Sequence, residues 1–145
     1  MLLSRYSDNS IRLLMYLTVQ GDGFVSVKQA ARDGGMSRNH LMEVSQHLSH
    51  LGYIETIRGK GGGMRMALDP ETICLGDLIS QTEPTLEIIR CENLDCPLTG
   101  VCILKTCILE ARDRFIEVLN GYTLADVTAI AGQLRGLLSL APQTP

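Results

Sequence analysis

Large aromatic side chains are scarce in this sequence, which has no tryptophan, two phenylalanines and four tyrosines. Aromatic rings usually dominate core burial, so a chain this poor in them must rest on aliphatic packing, which favours helices. No apolar run approaches the roughly 20 residues of a membrane-spanning helix, and Asp8 and Arg12 interrupt the first apolar segment. The opening Met1-Leu2-Leu3-Ser4-Arg5 lacks the basic stretch, apolar core and small-residue cleavage site of a secretory leader. The sequence therefore predicts a cytoplasmic protein. Also missing are a Cys-x-x-Cys pair and a glycine pattern leading into a phosphate-binding helix. Those absences weigh against the competing reading, a cysteine-based redox or electron-transfer protein, and no enzymatic activity is expected.

What is present starts with an uneven charge. The 145 residues carry a net charge of −3, with Lys and Arg concentrated at the front. Residues 1–68 hold eight Lys/Arg against five Asp/Glu, whereas residues 69–145 hold five against eleven. A basic first half and an acidic remainder suggest that only the first half approaches phosphates.

The hydrophobic pattern predicts a mainly α fold with one small β-hairpin. Ser7 is positioned to cap a first helix over about 8–20, with Ile11, Leu14, Met15 and Leu17 on its apolar face. Phe24-Val25 reads as a short extended piece, and Ser26-Val27-Lys28-Gln29 as the capping-box start of a second helix that ends at Gly34-Gly35. Ser37 opens a third, with Leu41, Val44, Leu48 and Leu51 at helical spacing before Gly52. Two helices joined by a short glycine turn read as a helix-turn-helix. The alternating Tyr53–Arg58, the tip Gly59-Lys60-Gly61-Gly62-Gly63 and the returning Met64–Ala67 then form a basic wing.

Residues 1–68 are thus read as a winged helix-turn-helix DNA-binding domain. Residues 69–100 read as a linker helix and a cysteine loop. Residues 101–145 read as a long dimerisation helix and a C-terminal helix running toward Leu140. The long helix places Leu104, Ile108, Ala111, Phe115, Val118 and Leu119 along one stripe, a pattern suited to a homodimer seam. Two-fold symmetry matches near-palindromic operators in double-stranded DNA.

Ser37, Arg38, Asn39 and His40 cluster at the start of the third helix. Arginine can fork onto guanine, asparagine can pair with adenine, and a helix N-terminus favours phosphate. His47 is expected to face the DNA backbone. Arg58, Lys60 and Arg65 flank a tip whose Gly61 and Gly62 carry no side-chain bulk, so the wing can enter a narrow minor groove.

Four of the five cysteines fall within seventeen residues, spaced C-x4-C-x5-C-x4-C from Cys91 through Cys96 and Cys102 to Cys107. This matches neither the paired C-x2-C knuckles of a zinc ribbon nor a redox pair. Iron–sulfur clusters are held by thiolates on irregular loops, and an odd cysteine count in a reducing compartment argues for metal or redox chemistry over disulfides. Cys74, between Ile73 and Leu75, reads as packing. Cys107 has two readings: a small hydrophobe on the helical stripe, or a metal ligand. Zinc on Cys91, Cys96, Cys102 and Cys107 is the alternative metal.

Five segments follow in order: Ser37-Arg38-Asn39-His40-Leu41, Arg58-Gly59-Lys60-Gly61-Gly62-Gly63, Leu75-Gly76-Asp77, Glu83-Pro84 and Cys91/Cys96-Pro97/Cys102. Together they resemble the NsrR-type nitric-oxide-sensing repressors, part of a superfamily of winged-helix iron–sulfur regulators that includes IscR. The resemblance runs from Leu3 to about Val127. It implies a transcriptional repressor with one 4Fe–4S cluster per subunit, held by Cys91, Cys96 and Cys102, with 2Fe–2S as an alternative. It also implies a fourth ligand from the other subunit, at the position of Asp8, with Cys107 as the rival. Arg12, one turn further along, would steady the Asp8 carboxylate. Nitrosylation of the cluster would release DNA and derepress genes of nitric oxide detoxification. The alternative within the same superfamily is a regulator that responds to iron or redox state.

Overall fold

A serine stands at the N-cap of each of the first three helices, and the first two of these cap with their side chains. In the computed structural model, which describes residues 3–59, 61–89, 91 and 96–129, α1 spans Arg5–Gln20, α2 Val27–Asp33 and α3 Arg38–His50. The α1 cap is Ser4, one turn earlier than the expected Ser7: the Ser4 Oγ accepts the Ser7 backbone N–H at 3.1 Å. Ser7 itself is fully buried inside the helix. The side chain that reaches the first free N–H groups decides where a helix begins, and Ser4 reaches them first. Ser26 caps α2 by accepting from the Gln29 N–H at 3.1 Å.

The two helices of the helix-turn-helix end alike. At Gly35 (φ 62°) the Met36 N–H donates to the Ala31 carbonyl at 2.9 Å, and at Gly52 (φ 83°) the Tyr53 N–H donates to the Leu48 carbonyl at 2.9 Å. Both are Schellman stops, which need the left-handed backbone that glycine adopts without strain. Each then drives an apolar residue, Met36 or Tyr53, into the core. The turn into the third helix is thereby fixed by backbone chemistry as well as by packing.

The core forms where Leu13, Leu14 and Leu17 of α1 meet Leu41, Val44 and Leu48 of α3, all nearly inaccessible to solvent. Strands β1 (Ile54–Ile57) and β2 (Gly63–Met66) pair antiparallel, with Ile54 opposite Met66 and Ile57 opposite Gly63. A third piece joins this hairpin. Val25 and Met64 exchange two backbone hydrogen bonds at 2.9 Å, tying the wing to the turn that precedes α2. Any Cβ at Gly63 would lie 2.6 Å from the Val25 carbonyl oxygen, so that approach requires glycine.

Beyond the wing, a 3-10 turn (Pro70–Thr72) leads into α4 (Leu75–Thr82), and the chain continues through α5 (Ile103–Asn120) and α6 (Leu124–Thr128). The segment entered at Asp69-Pro70 is strapped to the C-terminal part. The Leu124 N–H donates to the Ile73 carbonyl at 2.8 Å, and the Leu75 N–H to the Tyr122 carbonyl at 3.0 Å. Leu124 returns to the main core, so α6 closes over α1. The expected extension of this last helix toward Leu140 lies outside the described residues. Helix α5 touches the rest of the chain chiefly through α4, crossing it closely at Gly76, where an added Cβ would sit 2.6 Å from the Ile116 carbonyl oxygen. The Asn120 Oδ1 accepts the Asp77 N–H at 2.9 Å there. Among the described residues, α5 has no buried residue. No helix among the described residues is long and apolar enough to cross a membrane.

Candidate metal centre and nucleic-acid interface

The start of α3 presents Ser37, Arg38, Asn39 and His40 together, all exposed. Ser37 occupies the N-cap position without making a capping hydrogen bond, which leaves its hydroxyl available. Arg38 makes no ion pair among the described residues. Four polar side chains therefore surround the positive end of one helix, while Leu41, Val44 and Leu48 seat its opposite face in the core. His47 is half-buried: its ring lies 5.7 Å from that of Tyr6 on α1, tilted by 42°. It supports the position of α3 against α1.

On the wing, Arg58 is exposed and Gly61 adopts φ 83°. A Cβ at Gly62 would meet the Ile57 carbonyl oxygen at 2.2 Å, so the tight tip excludes a side chain at that position. Lys60 lies outside the described residues. Arg65 is engaged within the protein, paired with Glu55 directly across the hairpin and stacked 4.7 Å from the centre of the Phe24 ring. Its first role is to brace the wing; sequence reasoning, which grouped it with Arg58, had no way to see the pairing.

The cysteine segment forms a pocket of about 490 Å³ against the start of α5, with Cys91, Cys96 and Cys102 in its wall. Two successive turns shape the loop. The Thr99 N–H donates to the Cys96 carbonyl at 3.1 Å, and the Val101 N–H to the Leu98 carbonyl at 3.1 Å. Gly100, at φ 89°, makes the reversal between them. Cys102 caps α5, its Sγ accepting the Lys105 N–H at 3.5 Å. All three cysteines are half-buried free thiols. Among the described residues, no three His, Cys, Asp or Glu side chains converge as closely as the ligands of a single metal ion. Lys105 and Leu109 also line the pocket; their i, i+4 spacing on α5 was the available sequence signal.

The other two cysteines behave differently. Cys74 is half-buried at the cap of α4, where it bridges Thr123. Cys107 is exposed on α5 and is not part of the pocket wall. Its expected burial as a small hydrophobe does not occur within one chain, because α5 lies against α4 along a different face.

Asp8 sits in the first turn of α1, its carboxylate about half exposed and paired with Arg12 Nε at 3.0 Å. It does not line the pocket of its own chain.

A helix-turn-helix closed by a basic hairpin defines a winged-helix DNA-binding regulator. Residues 3–130 match the Rrf2 family, described as iron-dependent transcriptional regulators, and the chain belongs to that family. It is similar to the HTH-type transcriptional regulator NsrR of Halalkalibacterium halodurans, with 44% identity over 146 residues, covering 98% of this chain and all of that protein. The regulator of the same name from Bacillus subtilis is 40% identical over 145 residues, covering 97% and 99% of the two chains. Among solved structures, IscR of T. potens superposes with a TM-score of 0.71 at 26% identity, over 90% of this chain and 88% of that one. CymR, the global cysteine regulator of B. subtilis, shares the fold at a TM-score of 0.71 and 24% identity, over 90% and 98% of the chains.

Proposed function

We propose that this regulator is a homodimeric repressor that binds near-palindromic operators in double-stranded DNA and senses nitric oxide through one 4Fe–4S cluster per subunit. The ligands assigned here are Cys91, Cys96 and Cys102, with the partner subunit's Asp8 as the fourth. One observation carries this reading: three of the four clustered thiols line a single pocket and the fourth, Cys107, projects elsewhere. Three soft thiolates on an irregular loop fit an iron–sulfur group. The N–H to sulfur bond at Cys102 is the kind of contact that tunes such a group.

When bound, the cluster supplies iron that nitric oxide can attack, and a carboxylate is the harder and more labile ligand among thiolates. The protein's own part is to hold Asp8 in one of two places. Free of the cluster it would rest against Arg12 of its own helix, the pair that lies at 3.0 Å; as a ligand it would reach toward the partner's cysteine loop. The displacement of α1 between those positions reaches α3 through their shared core and the Tyr6–His47 contact. Arg38, Asn39 and His40 then meet the operator at the correct half-site spacing in one state and not in the other. Derepressed genes would be those of nitric oxide detoxification, in a cytoplasmic setting.

A second reading has its own support. The family is described as iron-dependent, which favours a response to iron supply. Anaerobic native mass spectrometry of freshly purified protein separates the two. A dimer with one 4Fe–4S per subunit that takes up nitric oxide and then loses operator affinity is the expected outcome. Loss of operator binding only on chelation would assign the iron response. A 2Fe–2S mass would change the cluster type, and a zinc-only species that persists after anaerobic reconstitution would overturn sensing by a cluster.

A further inference from the structure

We infer that Glu83 is a positioning residue that holds the start of α1, and with it Asp8, to the root of the cysteine loop. The inference rests on the assignment of Asp8 as a ligand and adds to it the residue that sets where Asp8 stands. Glu83 is the C-cap residue of α4, its N–H donating to the Ile79 carbonyl at 2.8 Å. Pro84 follows, and Cys91 comes eight residues after Glu83. Its carboxylate Oε1 accepts the Ser4 backbone N–H at 2.7 Å, a contact across 79 residues of sequence. Ser4 is the N-cap of α1, and its carbonyl accepts the Asp8 N–H at 3.0 Å.

Two hydrogen bonds thus join Glu83 to Asp8 through a single residue. The first is charge-assisted and meets a helix end whose free N–H groups attract an anion. Both Glu83 and Ser4 are half-buried, so water competes only partly for the bond. Within one protomer this links the segment entering its own cysteine pocket to the carboxylate offered to the other pocket. The state of each loop is therefore mechanically tied to the ligand of its neighbour.

Glu83→Ala, Glu83→Gln, Asp8→Ala and the double variant test this in the full-length protein. In the metal-free form, hydrogen exchange in the first turn of α1 is expected to quicken on the order of five- to ten-fold in Glu83→Ala. It should change little in Glu83→Gln, whose amide oxygen still accepts. In the anaerobically reconstituted dimer, Glu83→Ala should lose iron to a chelator about ten-fold faster than the parent, the cost typical of a group supporting a ligand. The double variant should lose it no faster than Asp8→Ala alone, whereas a merely structural role would add to the Asp8 effect.

Should Glu83→Ala prove unstable, Ser4→Pro removes the same N–H from the other end at a φ of −62° that suits proline. Ser4→Ala, which keeps the N–H and loses only the cap, is its control. Parent-like iron retention in Glu83→Ala beside rapid loss in Asp8→Ala overturns the inference and leaves the ligand assignment standing. Parent-like retention in Asp8→Ala removes the ligand assignment, and the inference with it.

Discussion

Individual side chains divide here between those that hold the reader together and those offered outward. Tyr16 belongs to the first group: it is almost fully buried on α1, and its hydroxyl donates to Asp33 Oδ2 at the end of α2, at 2.8 Å. Burial, with the hydrogen bond and charge of Asp33 added, pushes the Tyr16 pKa up to about 12. Partial burial works to raise Asp33, but hydrogen bonds from Arg32 and Tyr16 outweigh it and hold the carboxyl below its ordinary value. The Tyr16 contribution to stability is whole below the unfolded phenol's pKa of about 10 and is lost as pH rises toward about 12. The Asp33 contribution is whole above the ordinary carboxylate range and is lost as pH falls through its lowered value. Urea denaturation of Tyr16→Phe at neutral pH is expected to show a loss of about 1 kcal/mol. The gap from the parent should narrow as pH climbs through that alkaline window; a gap constant with pH would mean that folding does not raise the Tyr16 pKa, and no gap at neutral pH would mean that the hydroxyl contributes nothing. Among the cysteines, Cys102→Ser should abolish iron retention after anaerobic reconstitution, and Cys107→Ser should leave it intact. Iron lost from Cys107→Ser would make that thiol the fourth ligand in place of Asp8.

At the level of elements, the wing separates two arginines that look equivalent in sequence. Arg58 is exposed beside the glycine tip, whereas Arg65 is committed to Glu55 and Phe24. Arg58→Ala should weaken binding to all sequences by a similar factor and lower the salt dependence by about one phosphate contact. Arg65→Ala should lower the thermal stability of the hairpin more than it changes that slope, as salt titrations of operator binding beside melting curves would show. Equal slopes for Arg58→Ala and the parent would take Arg58 out of the interface. The helix-turn-helix and the wing were readable because local signals carry them: helical spacing of Leu41, Val44 and Leu48, glycines at both stops, and two short strand-forming runs either side of a glycine tip. Pairings between distant segments were not. Nothing local marks Val25 as a partner of Met64, Cys74 as a partner of Thr123, or Glu83 as a partner of Ser4. Ser4 and Ser7 are both good caps, and only the backbone path chooses between them. The concentration of thiols was visible as spacing. That Cys107 leaves the pocket wall follows once the helix is known to start at Ile103, since five residues after Cys102 carry it about 140° around α5.

At the scale of the whole chain, α5 stands apart among the described residues, touching the rest chiefly through α4. The basic excess of residues 1–68 lies mainly in the wing, and the acidic excess of the remainder in residues 69–95, whereas α5 is balanced at three Lys/Arg against three Asp/Glu; that division favours phosphate contact at the wing end. On α5, Leu104, Cys107, Ala111 and Val118 are exposed, with Ile108 and Phe115 half-buried between them. At the helical repeat these six fall within about 100° of arc, turned away from the Gly76 crossing with α4. A stripe of that width is what a second helix covers, and a two-fold partner there would also bury Cys107, restoring the apolar surroundings its sequence position suggests. Leu104→Lys places a charge in that stripe, outside the cysteine pocket wall. Sedimentation should show a folded monomer, and operator affinity should fall by on the order of a hundred-fold or more, since two half-sites no longer bind as one unit. Binding to a single half-site, read at low salt, should stay near the parent value. A Leu104→Lys protein that remains dimeric would place the seam elsewhere, and with it the route by which the partner subunit's Asp8 is proposed to reach the cysteines.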